Sequence, residues 1–288
     1  MSGLMDGKVC IVTGATSGIG QITALELAKM GARVVAVGRN AQKGAATLEM
    51  IKRQSASETI EFLQADLSSQ QSIRQLVQAY SDKYDRLHVL VNNAGAVYSK
   101  RQTSTDGIEM TITLDHLGPF LLTELLLPLL KRSAPARIVT VSSGVHARGH
   151  IHFDDLQGEK HYAALQAYSQ AKLANILFTY ELARQLQGTG VTANCVAPGK
   201  VATNFAIDNG GLAALFAKAT GFLSRSPEKG AETSIYVASS PRIEGVTGKY
   251  FFDKMEKQSS KESYDEEIAR KLWEVSARLT NAQLMTTR

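Results

Sequence analysis

Short runs of β-branched and apolar residues alternate along this chain with longer stretches of helical periodicity, and this alternation restricts the fold more than any other feature. The runs Val9 to Thr13, Arg33 to Val37, Ile60 to Gln64, Val89 to Val91, Arg137 to Ser142, Val191 to Ala197 and Gly248 to Phe252 read as strands. Helical patterns fall between them at about 19–30, 40–54, 69–84, 107–132, 162–187 and 227–239. Apolar strands joined through helices call for a parallel sheet covered on both faces. The expected fold is therefore α/β, a doubly wound parallel sheet of the Rossmann type. A chain of 288 residues with 44% hydrophobic content suffices for one such domain, so 1–288 is read as a single domain with a small substrate-binding excursion. The stretches 144–161 and 199–226 break the alternation. Both follow a strand's carboxyl end, where open α/β sheets place their ligands.

The net charge of +5 is dispersed, without the Lys/Arg run that a nucleic-acid partner would call for. Cys10 and Cys195 each sit in an apolar, β-branched stretch and read as buried thiols. No signal peptide precedes the first strand, no window of about 18 uncharged apolar residues offers a membrane span, and no metal site is assigned. A cytoplasmic location is expected.

Thr13-Gly14-Ala15-Thr16-Ser17-Gly18-Ile19-Gly20 follows the first strand and opens the first helix. Glycines there let backbone N–H groups and a helix N-terminus approach a pyrophosphate. At the end of the second strand an acid would pair with ribose hydroxyls, whereas a base accommodates a 2′-phosphate. The run Val37-Gly38-Arg39-Asn40 has no acid and places Arg39 there, which favours NADP(H).

Tyr-x-x-x-Lys occurs twice, at Tyr168 to Lys172 and at Tyr250 to Lys254. The first lies in a helical pattern, where residues four apart share a face; the second begins a strand and reads as packing. An ammonium beside a phenol stabilises the phenolate, so Tyr168 and Lys172 can serve as an acid-base pair.

Five motifs in order, Thr13 to Gly20, Asn92-Asn93-Ala94-Gly95, Val141-Ser142-Ser143, Tyr168 to Lys172 and Pro198-Gly199-Lys200-Val201-Ala202-Thr203, make the chain resemble the short-chain dehydrogenases and reductases over nearly its whole length. His116 to Leu122, Ile151 to Lys160 and Ala171 to Phe178 resemble the retinol dehydrogenase-like branch. The resemblance implies that Ser143 hydrogen-bonds the substrate oxygen and that Ser142 faces away. It implies further that Asp66 and Leu67 border the adenine, that Asn93, Ala94 and Gly95 line the cofactor channel, that Val201 and Thr203 reach the nicotinamide amide, and that Pro198 and Gly199 are among the cofactor-binding residues. Many members of that branch carry an N-terminal membrane anchor, which this sequence does not show.

The family's fourth catalytic residue is an Asn in the long helix, and Asp115 stands in its place. Pro119 has no N–H to give the Asp115 carbonyl, so that oxygen could hold the relay water the family uses. A carboxylate aimed at Lys172 would weaken its help to Tyr168; one aimed at solvent would be inert. His116 is assigned no role.

The expected reaction interconverts a lipophilic aldehyde or ketone with its alcohol. Phe205, Ile207, Leu212, Leu215, Phe216, Phe222 and Leu223 suit a Gly-hinged lid over an apolar substrate, and equally a packed helix pair or an oligomer contact. The rival readings are an NADP-sensing protein with little turnover and a sugar-nucleotide epimerase, whose usual loop Gly14, Gly18 and Gly20 do not spell.

Overall fold

In the computed structural model, residues 3–199 and 226–282 are described. Val201, Thr203 and nearly all of the expected lid lie outside them. Eight strands form one sheet in the order β3-β2-β1-β4-β5-β6-β7-β8: β1 Val9–Thr13, β2 Arg33–Gly38, β3 Ile60–Gln64, β4 Val89–Asn92, β5 Ala136–Val141, β6 Val191–Ala197, β7 Tyr250–Phe252 and β8 Met255–Lys257. All pairings are parallel except β7 with β8. This is the doubly wound parallel sheet that the sequence leads one to expect, with one short antiparallel strand added at its edge, where Asp253 and Lys254, at φ 51° and 62°, turn the chain back on itself.

Alternation along each strand sends side chains to two cores. Ile11, Val35 and Leu90 face one, with Leu76 of α3 (Gln70–Ser81) and Phe120 of α4 (Met110–Arg132). Cys10, Val12, Val34 and Val89 face the other, with Leu27 of α1 (Gly18–Lys29), Ile51 of α2 (Ala41–Ser55) and Val237 of α6 (Pro227–Ser239). Both cysteines are buried free thiols, pushed up to about 12 by desolvation. Helix α4 is the one described helix long and apolar enough to cross a membrane, yet 78% of that window is buried inside the protein. Its apolar character is used by the core.

Helix α7 (Glu266–Thr280), for which the sequence analysis gives no expectation, packs on α5 (Ala164–Gln185) and α4. Its Trp273 meets Phe120 edge-on and stacks on Phe178. His116 lies in the same region, fully buried, with Nε2 2.9 Å from Ser276 Oγ and Nδ1 3.4 Å from Asn175 Oδ1.

Burial holds the His116 pKa down at about 4. The folded state thus binds this proton less readily than the unfolded chain, whose histidine titrates near 6.5, and stability falls as pH drops from about 6.5 toward 4. The contribution lost is on the order of 3 kcal/mol. Urea unfolding at pH 7 and 4.5 should show a smaller acid loss for His116→Gln than for the wild type; equal losses would contradict this account.

Candidate active site

The strand order turns back between β1 and β4, which opens a crevice at their carboxyl ends. Thr13 fastens the crevice. Its hydroxyl donates to the Val91 carbonyl (3.2 Å) and accepts the N–H groups of Asn93 (2.9 Å) and Ala94 (3.1 Å). The Asn93 side chain returns a bond to the Thr13 carbonyl at 2.8 Å.

This closeness requires glycines. A Cβ on Gly14, which has φ 63°, would lie 2.9 Å from Ala94 Cα, and one on Gly20 would overlap the Asn93 amide and the Gly14 carbonyl. Ser17 is extended at the N-cap of α1 without a side-chain capping bond, and the first turn holds no acid. Gly18, at φ 54°, and Ile19 begin the helix. The amide end of α1 and the loop through Thr16 thus fit a phosphate group.

Arg39 is exposed at the end of β2, its carbonyl accepting from Gln64 Nε2 at 3.0 Å. Asn40 caps α2 through Lys43 N–H, so its side chain already has a structural task. The Asp66 carboxylate accepts the Ser68 N–H and hydroxyl. Leu67 is a core residue, and its carbonyl sits where a Cβ on Gly118 would be. Arg39 and Asn40 follow β2, and Asp66 and Leu67 follow β3, all at the carboxyl side of the sheet. Pro198 and Gly199, the latter at φ 82°, follow β6 on the same side.

Ser143, Tyr168 and Lys172 come together beyond β5. The Ser143 hydroxyl hydrogen-bonds Tyr168, and Lys172 Nζ lies 5.3 Å from the Tyr168 ring centre. Ser142 faces the opposite way and donates to the Lys172 carbonyl at 2.7 Å. Tyr250, by contrast, is a buried core residue, and Lys254 pairs with Glu232 at 2.8 Å.

The alternative left open for Asp115 is decided: its carboxylate is fully buried and faces Lys172, with Oδ2 2.9 Å from Nζ. The two meet as charges rather than through a well-aligned hydrogen bond. Oδ1 accepts the Ala96 N–H at 2.8 Å. The chain presents Asp115 this way because α4 widens into a π turn over Thr113–Leu117, with Gly118 N–H reaching back to Thr113 O. Pro119, lacking a donor, follows immediately. Burial raises the Asp115 carboxyl above the usual carboxylate range, against the pull of Lys172. The Tyr168 phenol is raised well above 10, first by burial and then by the Asp115 charge, while Ser143 works the other way.

Two supports escaped the sequence reading. His146 Nδ1 lies 2.7 Å from the Ser143 carbonyl while Nε2 accepts Ser260 N–H at 3.1 Å, which places the proton on Nδ1. Asn175 Nδ2 donates to the Val141 carbonyl at 3.3 Å, the oxygen that Lys172 Nζ also approaches at 3.5 Å. Asn175 was visible in principle, three residues beyond Lys172 on the same helical face.

A glycine-cradled phosphate seat at the sheet's switch point, facing a Ser–Tyr–Lys cluster one strand away, defines a nicotinamide-dependent oxidoreductase. The family model described as short chain dehydrogenase matches residues 8–210. Human retinol dehydrogenase 14 is 46% identical over 95% of this chain and 86% of its own length. A crystal structure of a putative uncharacterized protein from Mycobacterium Paratuberculosis superposes with TM-score 0.79 at 32% identity, covering 97% of this chain and 96% of the other. The structure titled Pseudomonas aeruginosa RhlG/NADP active-site complex gives 0.70 at 29% identity, covering 87% and 96%. The chain belongs to the short-chain dehydrogenase family, in its retinol dehydrogenase-like branch.

Gly95 seats the ion pair. A Cβ there would lie 3.0 and 3.1 Å from the Asp115 oxygens and 3.1 Å from Lys172 Nζ. Gly95→Ala should lower kcat/KM by roughly 10² through misplacement of Lys172, at a stability cost of about 1–3 kcal/mol. Steady-state kinetics beside urea unfolding check both; full activity would show that the seat tolerates a methyl group.

Proposed function

We propose that this enzyme interconverts a lipophilic aldehyde or ketone and its alcohol with NADP(H), Tyr168 supplying or removing the proton. The observation that carries the reading is the meeting of Ser143, Tyr168 and Lys172 beside the glycine loop. A bound nicotinamide would exchange a hydride with the carbonyl carbon. The Ser143 hydroxyl holds the carbonyl oxygen, in a position to stabilise charge that develops there. Tyr168 gives that oxygen its phenolic proton during reduction and takes it back during oxidation.

The NADP(H) preference rests on Arg39, exposed where a 2′-phosphate would lie, and on the missing acid at that strand end. The NADP complex named for the Pseudomonas aeruginosa protein supports it. The lipophilic substrate is supported by the retinol named for the human relative and by the apolar composition of 199–226.

Arg39→Asp should weaken NADPH binding by a few kcal/mol, since a charge-assisted contact is worth ~1.5–3 kcal/mol and the new acid repels phosphate. NADH should gain relative to NADPH. Fluorescence titration checks this, and equal wild-type affinity for the two cofactors would sink the preference.

Tyr168→Phe should remove turnover while NADPH binding stays nearly intact. Tyr250→Phe should do neither. A Tyr168→Phe enzyme that keeps most of its rate with a good carbonyl substrate would refute the assignment.

A further inference from the structure

We propose that Asp115 is a positioning residue that sets the pH range of the reaction: its buried charge against Lys172 keeps the proton on Tyr168 to more alkaline pH than a neutral amide would. The proposal rests on the reading of Tyr168 as the acid. Its basis is geometric. Asp115 is 0% exposed and Lys172 2%; their charged atoms stand 2.9 Å apart, and the Ala96 N–H fixes the carboxylate from the other side. Gly95 leaves the pair no spare space.

The site's charge explains the effect. With an amide at this position, a buried ammonium alone would face Tyr168, and ionising the phenol would bring the site to neutrality. With Asp115, the Asp–Lys pair is already neutral, so the phenolate would be an uncompensated buried charge. The Tyr168 pKa lies well above 10, with burial as the first cause and Asp115 as the second.

The surrounding groups do not disturb this balance. From α4, His116 turns toward Ser276 and Asn175 and is held near 4. From the turn after β5, His146 gives its Nδ1 proton to the Ser143 carbonyl, and burial lowers its pKa. From β6, the Cys195 thiol is pushed up to about 12, and from β7 burial raises the Tyr250 phenol further still. Glu109, at the start of α4, caps Thr111 and Ile112. The loop after β4 contributes the Ala96 N–H, which is given to Asp115. Among the described residues, Asp115 and Lys172 are the charged groups that face Tyr168.

Asp115 cannot favour one direction, because no side chain alters the equilibrium of the overall reaction. It can only move the pH at which the acid form gives way to the base form, and it must do so in both directions together. Oxidation should then rise, and reduction fall, at unusually alkaline pH.

The test is the pH dependence of kcat/KM for nonanal with NADPH and for nonanol with NADP, in the wild type and Asp115→Asn. The amide keeps an oxygen for the Ala96 N–H and removes the charge. The break should move down by about one pH unit or more in both profiles. Tyrosinate absorbance, titrated against the matching Tyr168→Phe protein, should show the same displacement without turnover. A break that stays in place or moves upward overturns the proposal, as does displacement in one direction only. If Asp115→Asn does not bind NADPH as a folded protein, Asp115→Ser carries the same expectation. Retained turnover in Tyr168→Phe overturns the reading of Tyr168 itself, whereas an inactive Tyr168→Phe beside an unmoved break overturns the role of Asp115 alone.

Discussion

The Thr13 hydroxyl joins the two halves of the site. As donor to Val91 and acceptor from Asn93 and Ala94, it locks the loop after β1 to the loop after β4, where the winding of the sheet reverses. Neighbouring glycines make that lock sterically feasible, since a side chain at Gly14 or Gly20 would push the loops apart. The position of Gly95, and through it the Asp115–Lys172 pair, depends on the same fastening. Phosphate seat and proton-handling groups are thus held in one frame, although they come from distant parts of the sequence.

Polar groups carry this frame inside an otherwise apolar protein. Removing one member of a buried ion pair typically costs 3–5 kcal/mol, because the other is left uncompensated. The partners around Asp115 and Lys172 are placed accordingly: Ala96 N–H on the acid, Val141 O beside the base, and Ser142 holding the Lys172 carbonyl. An arrangement so fully committed tolerates substitution poorly, and it fixes the geometry in which Tyr168 meets Ser143.

Much of the fold can be read from the residues. β1 and β6 begin and end where their β-branched runs do, because strands buried on both faces need little besides apolar residues; the edge strand β3 also matches its run, although only Ile60 in it is buried. Helix α7 was legible in principle: Asp265 caps it, Glu266 and Glu267 stand in its first turn, and its buried residues Ala269, Leu272, Trp273, Ser276, Ala277 and Thr280 recur at helical spacing. β8 is three residues long and exposed, and its pairing depends on positive φ at Asp253 and Lys254. Within the site, Ser143, Tyr168 and Lys172 were legible as a motif. The aim of Asp115 was not, since one added residue in a helical turn rotates every later side chain of that helix by roughly 100°. Pro119 marked the place but not the outcome.

The order in which the site is completed depends on the segments that support its back. Asp115, Ser143, Tyr168 and Lys172 all lie before residue 173, yet His146 is held by Ser260, His116 packs on Ser276, and Arg74 reaches the carbonyls of Thr280 and Asn281. A chain growing from its N-terminus therefore carries these reactive groups long before it has the scaffold that orients them. The segment from Ser260 to Asn281 closes the wall behind Ser143, so the unfinished chain holds its chemistry without the frame that lets it act.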